Sequence, residues 1–519
     1  MANCIIIGDG VGHAQSTQMN LSRIQRGLGS YRVASELIKN GYSTFVFDFI
    51  SEFTIEEIFE VLEKHLDEET LWVGFSSTFF WPVKHQEQLM NVINKKNTEE
   101  QHSLMNLMYW NQNYSVVENV INFIKNKSKA KIVYGGAKTP YSLVDKSIDY
   151  YVLGYSDVSI LDLSDYLAGK KESLQHVEEI EIDGSKSYKI DSFKYEEPEM
   201  NSLSTTWWNK DFNILKGESL PIETGRGCIF KCKFCSFPLL GKKKGTYTRS
   251  SDMIRDELIK TYETTGSTNF YVTDDTFNDD NDKMDIFHKM FTSLPFKPKL
   301  TGYMRLDLIN KFPHQAQLLT EMGFVGVFFG IETLQPESGR SIGKGLHPNK
   351  VKDRLYWLAE QWKNKINATS GFILGLPYDT TEYFDELFSW SMEDDNPLQE
   401  MMFYPLKLFN NKNKELDRYN SEFAINPEIY GYEFDSISEW RLPLQKLDYN
   451  NCKKISDYFN IFRGPKNKVS SFDMHTMANL GVTYEDMYKF TQVELLNRYN
   501  FEELNKLKVE EYKGLVLNV

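Results

Sequence analysis

Cysteine is scarce in this chain, with five in 519 residues. So sparse and odd a set excludes a disulfide framework as the source of stability. It points instead to a reducing compartment, the cytoplasm. Long apolar runs are missing as well: no stretch approaches the roughly 20 apolar residues that span a bilayer. The opening Met1-Ala-Asn-Cys-Ile-Ile-Ile-Gly8 has no basic segment, and its apolar run is too short for a secretory signal. Positive charge is in deficit, 59 Lys and Arg against 73 Asp and Glu, giving a net charge of −14. That balance disfavours a non-specific nucleic-acid binder, which needs a basic stripe to neutralise phosphates. Lys242-Lys243-Lys244 is a local exception and reads as a solvated loop face. Internal repeats and low-complexity tracts are absent.

What is present is ordinary globular material, 41% apolar and 25% charged. The length predicts about two to four domains with packed cores. Over residues 1–170, apolar runs predict strands at Cys4–Ile7, Thr44–Phe49, Leu71–Ser76, Lys131–Tyr134 and Tyr150–Gly154. Helical spacing falls between them, at Tyr31–Lys39, Thr54–His65, Val116–Lys127 and Val158–Leu167. The alternation implies an α/β, Rossmann-like, doubly wound parallel sheet. Trp81–Tyr114, polar and Asn-rich, reads as an insertion. Residues 171–219 read as a linker holding a hairpin near Asp183-Gly184. Trp207-Trp208 in that linker reads as packing against a neighbouring domain.

A second alternation runs over residues 220–410. Strands are predicted at Ile222–Thr224, Phe270–Val272, Thr301–Met304, Gly326–Phe329, Ser370–Leu374 and Met401–Tyr404. Helices between them include Ser251–Tyr262, Asn349–Trp362 and Thr381–Met392. Six such units are too few to close an eight-stranded barrel. Residues 411–519 read as a mostly helical region, with helices at Asn450–Phe462, Thr483–Thr491 and Gln492–Tyr499.

Three of the cysteines, Cys228, Cys232 and Cys235, share the run Gly227-Cys-Ile-Phe-Lys-Cys-Lys-Phe-Cys-Ser236. Thiolates at this spacing can hold three irons of a cubane cluster and leave the fourth open to a ligand. A structural zinc site needs four ligands in a compact pattern. Cys4 and Cys452 are remote in sequence, and nothing around His288 reads as a ligand loop. The CxxxCxxC spacing, with Phe234 before its last cysteine, resembles the signature of the radical S-adenosylmethionine (SAM) superfamily. The approach Leu220-Pro-Ile-Glu-Thr-Gly-Arg-Gly-Cys228, with Gly135-Gly136 and Asp149-Tyr-Tyr-Val-Leu-Gly154 upstream, is similar to the subgroup with an N-terminal cobalamin-binding-like domain. Cores of that superfamily are partial (β/α)6 barrels, which fits the six units.

The resemblance implies a [4Fe–4S] cluster on Cys228, Cys232 and Cys235, with SAM on the open iron and reductive cleavage to a 5′-deoxyadenosyl radical. By the same resemblance, Phe234 flanks the cofactor, and Asp274 or Asp275, in Tyr271-Val-Thr-Asp-Asp-Thr-Phe277, accepts from the SAM ammonium. Arg305 pairs with the SAM carboxylate, a contact suited to a planar bidentate donor. Glu332 faces the ribose or amino group, and Gly371 and Gly375, in Gly371-Phe-Ile-Leu-Gly-Leu-Pro377, flank the adenine. All lie at predicted strand C-termini, where barrel active sites assemble. Cobalamin stays open as a further cofactor: where the subgroup carries DxHxxG, this chain has Gly8-Asp-Gly-Val-Gly-His13. With cobalamin, the implied outcome is methyl transfer; without it, hydrogen abstraction or rearrangement. A non-catalytic iron–sulfur scaffold or sensor is the alternative of another class. The implied partners are an electron donor such as flavodoxin or ferredoxin and a small-molecule or peptide substrate, with no membrane. His475, in Asp473-Met-His-Thr476, reads as a polar surface site.

Overall fold

Runs such as Cys4-Ile-Ile-Ile7 and Thr44-Phe-Val-Phe47 are buried along their whole length, the pattern of parallel strands covered on both faces. The computed structural model describes residues 2–10, 23–80, 114–136, 147–182, 184–237, 239–344, 346–408, 421–435 and 439–518. It forms these runs into β1 (Cys4–Ile7), β2 (Thr44–Phe47), β3 (Trp72–Ser76), β4 (Lys131–Gly136) and β5 (Tyr150–Leu153). Helices Leu28–Lys39, Ile55–His65, Tyr114–Lys127 and Ser159–Leu167 lie between or after them. The second of these starts where it does because Thr54 and Glu57 form a reciprocal capping box. Strand β2 stops at Phe47, two residues short of the predicted end, and Phe49 has turned left-handed at φ 55°.

The hairpin is present as β6 (Val177–Ile182) and β7 (Ser185–Asp191). Its strand β7 pairs in parallel with β5. The segment expected as a linker is thus hydrogen-bonded into the N-terminal sheet, whose order is β2-β1-β3-β4-β5-β7-β6. Because β1 lies between β2 and β3, the chain reverses direction across the sheet there. Such a reversal opens a crevice at the strands' carboxyl ends. Trp207 packs its ring on Tyr31 at 4.8 Å, within the same unit.

The second sheet is β8 (Leu220–Ile222), β9 (Asn269–Val272), β10 (Lys299–Met304), β11 (Phe324–Glu332), β12 (Asn367–Leu374) and β13 (Glu400–Pro405). These six lie in chain order and pair in parallel, with β8 and β13 as the edges. Pro221, which has no N–H to give a ladder, sits in an edge strand as expected. Two compact units result: Met1–Lys216 with Glu263–Thr265 and Glu502–Val519, and Gly217–Tyr262 with Gly266–Phe501.

Three features of the C-terminal region were not read from the sequence. A small antiparallel sheet joins Glu433–Phe434, Trp440–Leu442 and Leu447–Asp448. Helix Phe501–Leu517 places Val509, Tyr512 and Val516 in the core of the N-terminal unit. Helix Asp473–Asn479 carries His475, which is buried at 1% exposure and is not the surface residue expected. Of the expected insertion Trp81–Tyr114, residues 81–113 lie outside the described residues, as does His13, and Tyr114 begins the helix Tyr114–Lys127. Among the described residues no helix is long and apolar enough to cross a membrane.

Candidate active site

The cysteine run leaves the carboxyl end of β8 as a loop tied at several points. Gly227 enters it at φ +97°, where a Cβ would fall 2.6 Å from the Leu239 carbonyl oxygen, so only glycine fits. The Cys228 N–H donates to the Leu239 carbonyl and the Cys228 carbonyl accepts from Lys242 N–H, both at 2.9 Å. The Cys235 N–H donates to the Cys232 carbonyl, 3.0 Å, closing a turn between the last two cysteines. Cys228 is buried, with its Sγ 3.6 Å from Thr276 Oγ1, while Cys232 and Cys235 are half-buried. Burial pushes the Cys228 thiol up; burial, with the neighbouring Cys232, Asp275 and Cys228, pushes Cys235 up to about 12. Thiolates here need a cation beside them, and a coordinated metal supplies it. Among the described residues no three His, Cys, Asp or Glu side chains converge on a single-ion site.

The loop's entry is fixed from beneath by Asp274, which follows β9 and is 2% exposed. Its Oδ1 accepts from the N–H groups of Thr224 and Gly225, at 2.8 and 2.9 Å. Its Oδ2 accepts from Thr224 Oγ1 and, at 2.9 Å, from Lys283 Nζ. Lys283 also reaches Asp279, which accepts from Tyr247. Asp274 therefore serves the loop's entry, and both its oxygens are already engaged. Asp275 is the member of the pair whose charge reaches the thiols: after burial, it adds to the rise of Cys228, Cys235 and Tyr303.

Arg305 follows β10 and is 5% exposed. Its Nε and Nη2 grip the two carboxyl oxygens of Asp307 at 3.0 and 2.7 Å. The guanidinium lies 3.8 Å over the Phe230 ring, and Nη1 stands 3.5 Å from Cys232 Sγ. Burial would raise Asp307, but the hydrogen bonds and charge of Arg305, aided by Lys344, hold it below the usual carboxylate range. Glu332 ends β11 in the left-handed region, φ +68°. Burial raises its pKa against the pull of Lys344, whose Nζ is 3.8 Å from Oε1, and of Arg305. Gly330 makes room for it, since a Cβ there would meet Glu332 Oε1 at 2.7 Å.

Gly371 admits the Phe328 ring, 3.1 Å from where its Cβ would be. Gly375 is closed off: a Cβ would strike Trp440 at 2.1 Å, its N–H donates to Asp379, and its carbonyl accepts from Tyr432. Phe234 is half-buried within the cysteine loop. Thus Asp275, Arg305 and Glu332 join the cysteine loop at successive strand ends, whereas Asp274 and Gly375 are engaged inside the unit. Asp307, Lys344, Thr276 and Lys283 were missed. Asp307 lies two residues past Arg305, and Asp279 and Lys283 stand four apart, but neither spacing by itself points to a site.

Residues 222–391 match the family model described as the radical SAM superfamily. The chain carries a radical SAM domain. The match takes in Cys228, Cys232, Cys235, Asp275, Arg305 and Glu332. A methyltransferase of Pyrococcus horikoshii, itself uncharacterized, is 29% identical over 175 residues, 32% of this chain and 36% of its own length. A provisionally named methylthiotransferase of Methanocaldococcus jannaschii is 25% identical over 280 residues, 51% of this chain and 58% of its own. The chain thus spans less than two thirds of these curated relatives. Among solved structures, the radical SAM methyltransferase TsrM from Kitasatospora setae aligns at TM-score 0.55 and 15% identity, over 83% of this chain and 77% of that one. OxsB, a cobalamin-dependent SAM radical enzyme, aligns at TM-score 0.50 and 14% identity, over 83% and 56%. At such identities the likeness is one of fold. It agrees with the architecture expected from the sequence.

A radical SAM domain implies SAM and a [4Fe–4S] cluster. The donor set fits that cluster: three free thiols on one tied loop at the carboxyl end of the parallel strands, with an arginine N–H directed at one sulfur.

Proposed function

We propose that the protein is a radical SAM enzyme of methyltransferase type, with SAM and the [4Fe–4S] cluster at the mouth of the second sheet. The observation that carries this reading is the three-thiol loop beside Asp275, Arg305 and Glu332, groups of both charge signs set at consecutive strand ends. The cluster supplies an electron and an open iron for SAM. The chain's residues hold the loop, place charge around it and limit water, as a protein does for a cofactor that carries the hard chemistry. A flavodoxin- or ferredoxin-type donor in a reducing cytoplasm would feed it.

Methyl transfer is favoured by the name of one curated relative, a methyltransferase, while the other is named for transfer of a methylthio group. Cobalamin would lie at the carboxyl edge of the N-terminal sheet, by the β1/β3 reversal. That edge is built of small residues: Gly8, Ser76, Ser77, Gly135, Gly136 and Gly154. A Cβ on Gly136 would fall 2.5 Å from Ser77 Oγ, and one on Gly8 2.8 Å from Asp48 Oδ1, so larger side chains are barred there. None of these residues is a histidine, so a corrin held there would draw no histidine ligand from them.

Anaerobic purification with hydroxocobalamin tests the reading. A four-iron cluster with near-equal cobalamin, and 5′-deoxyadenosine formation lost in Cys232→Ala, are expected. A cluster without corrin returns the activity to hydrogen abstraction, and iron binding unaffected by Cys232→Ala overturns the whole reading.

A further inference from the structure

The guanidinium of Arg305 has one edge occupied and one nitrogen free to act elsewhere. Asp307 takes Nε and Nη2 in a fork, at 3.0 and 2.7 Å. Such bidentate pairs fix orientation as well as energy. The Phe230 ring, 3.8 Å away, fixes the plane from one face. What remains is Nη1, and it lies 3.5 Å from Cys232 Sγ. The side chain is 6% exposed, so little of the guanidinium is open to water. Arginine holds its proton throughout the working range. Hence the donor to this sulfur is permanent and oriented.

Resting on the reading that the three cysteines hold a cluster, we propose that Arg305 is a donor to the Cys232 thiolate that raises the cluster's reduction potential, with Asp307 as its positioning residue. Hydrogen bonds to cluster sulfurs and local net charge are what set such potentials. Each N–H directed at sulfur favours the reduced, more negative state. This role differs from the SAM-carboxylate contact that the family resemblance implies for the same residue. Lys344 carries the same charge nearby, yet its Nζ donates to the Gly330 carbonyl at 2.6 Å, so it serves as the control for charge without a sulfur contact.

The experiment is an EPR-monitored potentiometric titration of the anaerobic, cluster-loaded full chain as wild type, Arg305→Gln, Arg305→Lys and Lys344→Gln. Arg305→Gln should lower the midpoint so that the reduced-to-oxidised ratio at a fixed potential falls about tenfold, equivalent to about 59 mV for one electron. Lys344→Gln should shift it less, and Arg305→Lys should fall between wild type and Arg305→Gln. Independently, wild-type protein grown on ¹⁵N-arginine should show a guanidinium ¹⁵N hyperfine coupling to the reduced cluster, lost in Arg305→Lys. That measurement decides the matter if Arg305→Gln does not load iron. A loaded cluster with no such coupling overturns the proposal. So does an unchanged midpoint in Arg305→Gln with weakened SAM binding, which would restore the carboxylate role. Failure of the wild type to load four irons overturns the cluster reading itself, a separate and distinguishable result.

Discussion

Asp274 and Glu332 show how much a single side chain here depends on partners far away in sequence. Asp274 holds Thr224 and Gly225, about 50 positions earlier, and answers the buried charge of Lys283. Asp274→Ala would leave Lys283, at 4% side-chain exposure, with Asp279 as its remaining carboxylate. Breaking a buried pair from one side costs about 3–5 kcal/mol when nothing else answers the charge, so the loss here should fall below that range. Urea denaturation should show that loss, together with reduced iron loading, because the loop's entry is released. Glu332 poses the opposite problem, a non-glycine residue in the left-handed region. Such strain costs about 1–3 kcal/mol and persists where function needs it. Glu332→Gly should therefore stay within about 1 kcal/mol of the parent, while Glu332→Ala, which keeps the strain, is the less stable of the two. Both should bind SAM at least about fivefold more weakly by anaerobic calorimetry, a loss near 1 kcal/mol. Undiminished binding in both would remove Glu332 from the site. The cysteine triplet was legible because its information is local spacing. The engagement of Asp274 was not, since nothing in Thr273-Asp274-Asp275 says which carboxyl turns inward.

At the scale of elements, the turn after β12 illustrates a buried acid acting as a clasp. Asp379 is fully buried and accepts from Ser338 Oγ and from the N–H groups of Gly375 and Leu376. Burial pushes its pKa up to about 7 despite those donors. The folded chain therefore favours the protonated acid more than the unfolded chain does. Stability from this group is complete below about pH 4, the ordinary value, and is lost as pH rises toward 7. Asp379→Asn cannot ionise; its oxygen can keep the two backbone donors and its NH₂ can give to Ser338. Urea midpoints should show the Asn variant gaining on the parent between pH 5 and 7.5; a parallel pH profile would refute the clasp. Strand and helix positions were largely legible, because buried runs and 3.6-residue spacing are local signals. The membership of the β6–β7 hairpin in the N-terminal sheet was not, because it rests on the pairing of Tyr150 with Tyr188. The two- and three-residue strands between Glu433 and Asp448 are too short to show a period at all.

For the whole molecule, the division into units does not follow chain order, since the last helix belongs to the first unit. Helix Phe501–Leu517 was missed in the sequence because its apolar residues form no sharp stripe. Leu507 and Leu515 are 56% and 40% exposed, while Tyr512 and Val516 are buried at 0% and 1%. What anchors it is specific: Tyr512 packs edge-on to Phe49 at 5.0 Å and to Phe53 at 6.1 Å. Lys513 pairs with Glu57, and Asn505 Oδ1 accepts from the Arg23 N–H at 2.9 Å. Burying Tyr512, Val509 and Val516 contributes on the order of 1.5–3 kcal/mol for each large apolar side chain, a sizeable share of the 5–15 kcal/mol that holds a typical domain together. A chain ending at Phe501 should therefore lose most of the stability of the N-terminal unit while keeping every residue of the cysteine loop. Tyr512→Ala should do the same in smaller measure, by about 3–5 kcal/mol as for other buried aromatics. Hydrogen exchange read by mass spectrometry separates the two units. Peptides from β1 to β5 should lose protection in the truncated chain, and peptides from β9 to β12 should keep theirs. Equal loss in both would mean that the units unfold as one, and that the terminal helix supports the radical SAM domain as much as the sheet it packs against.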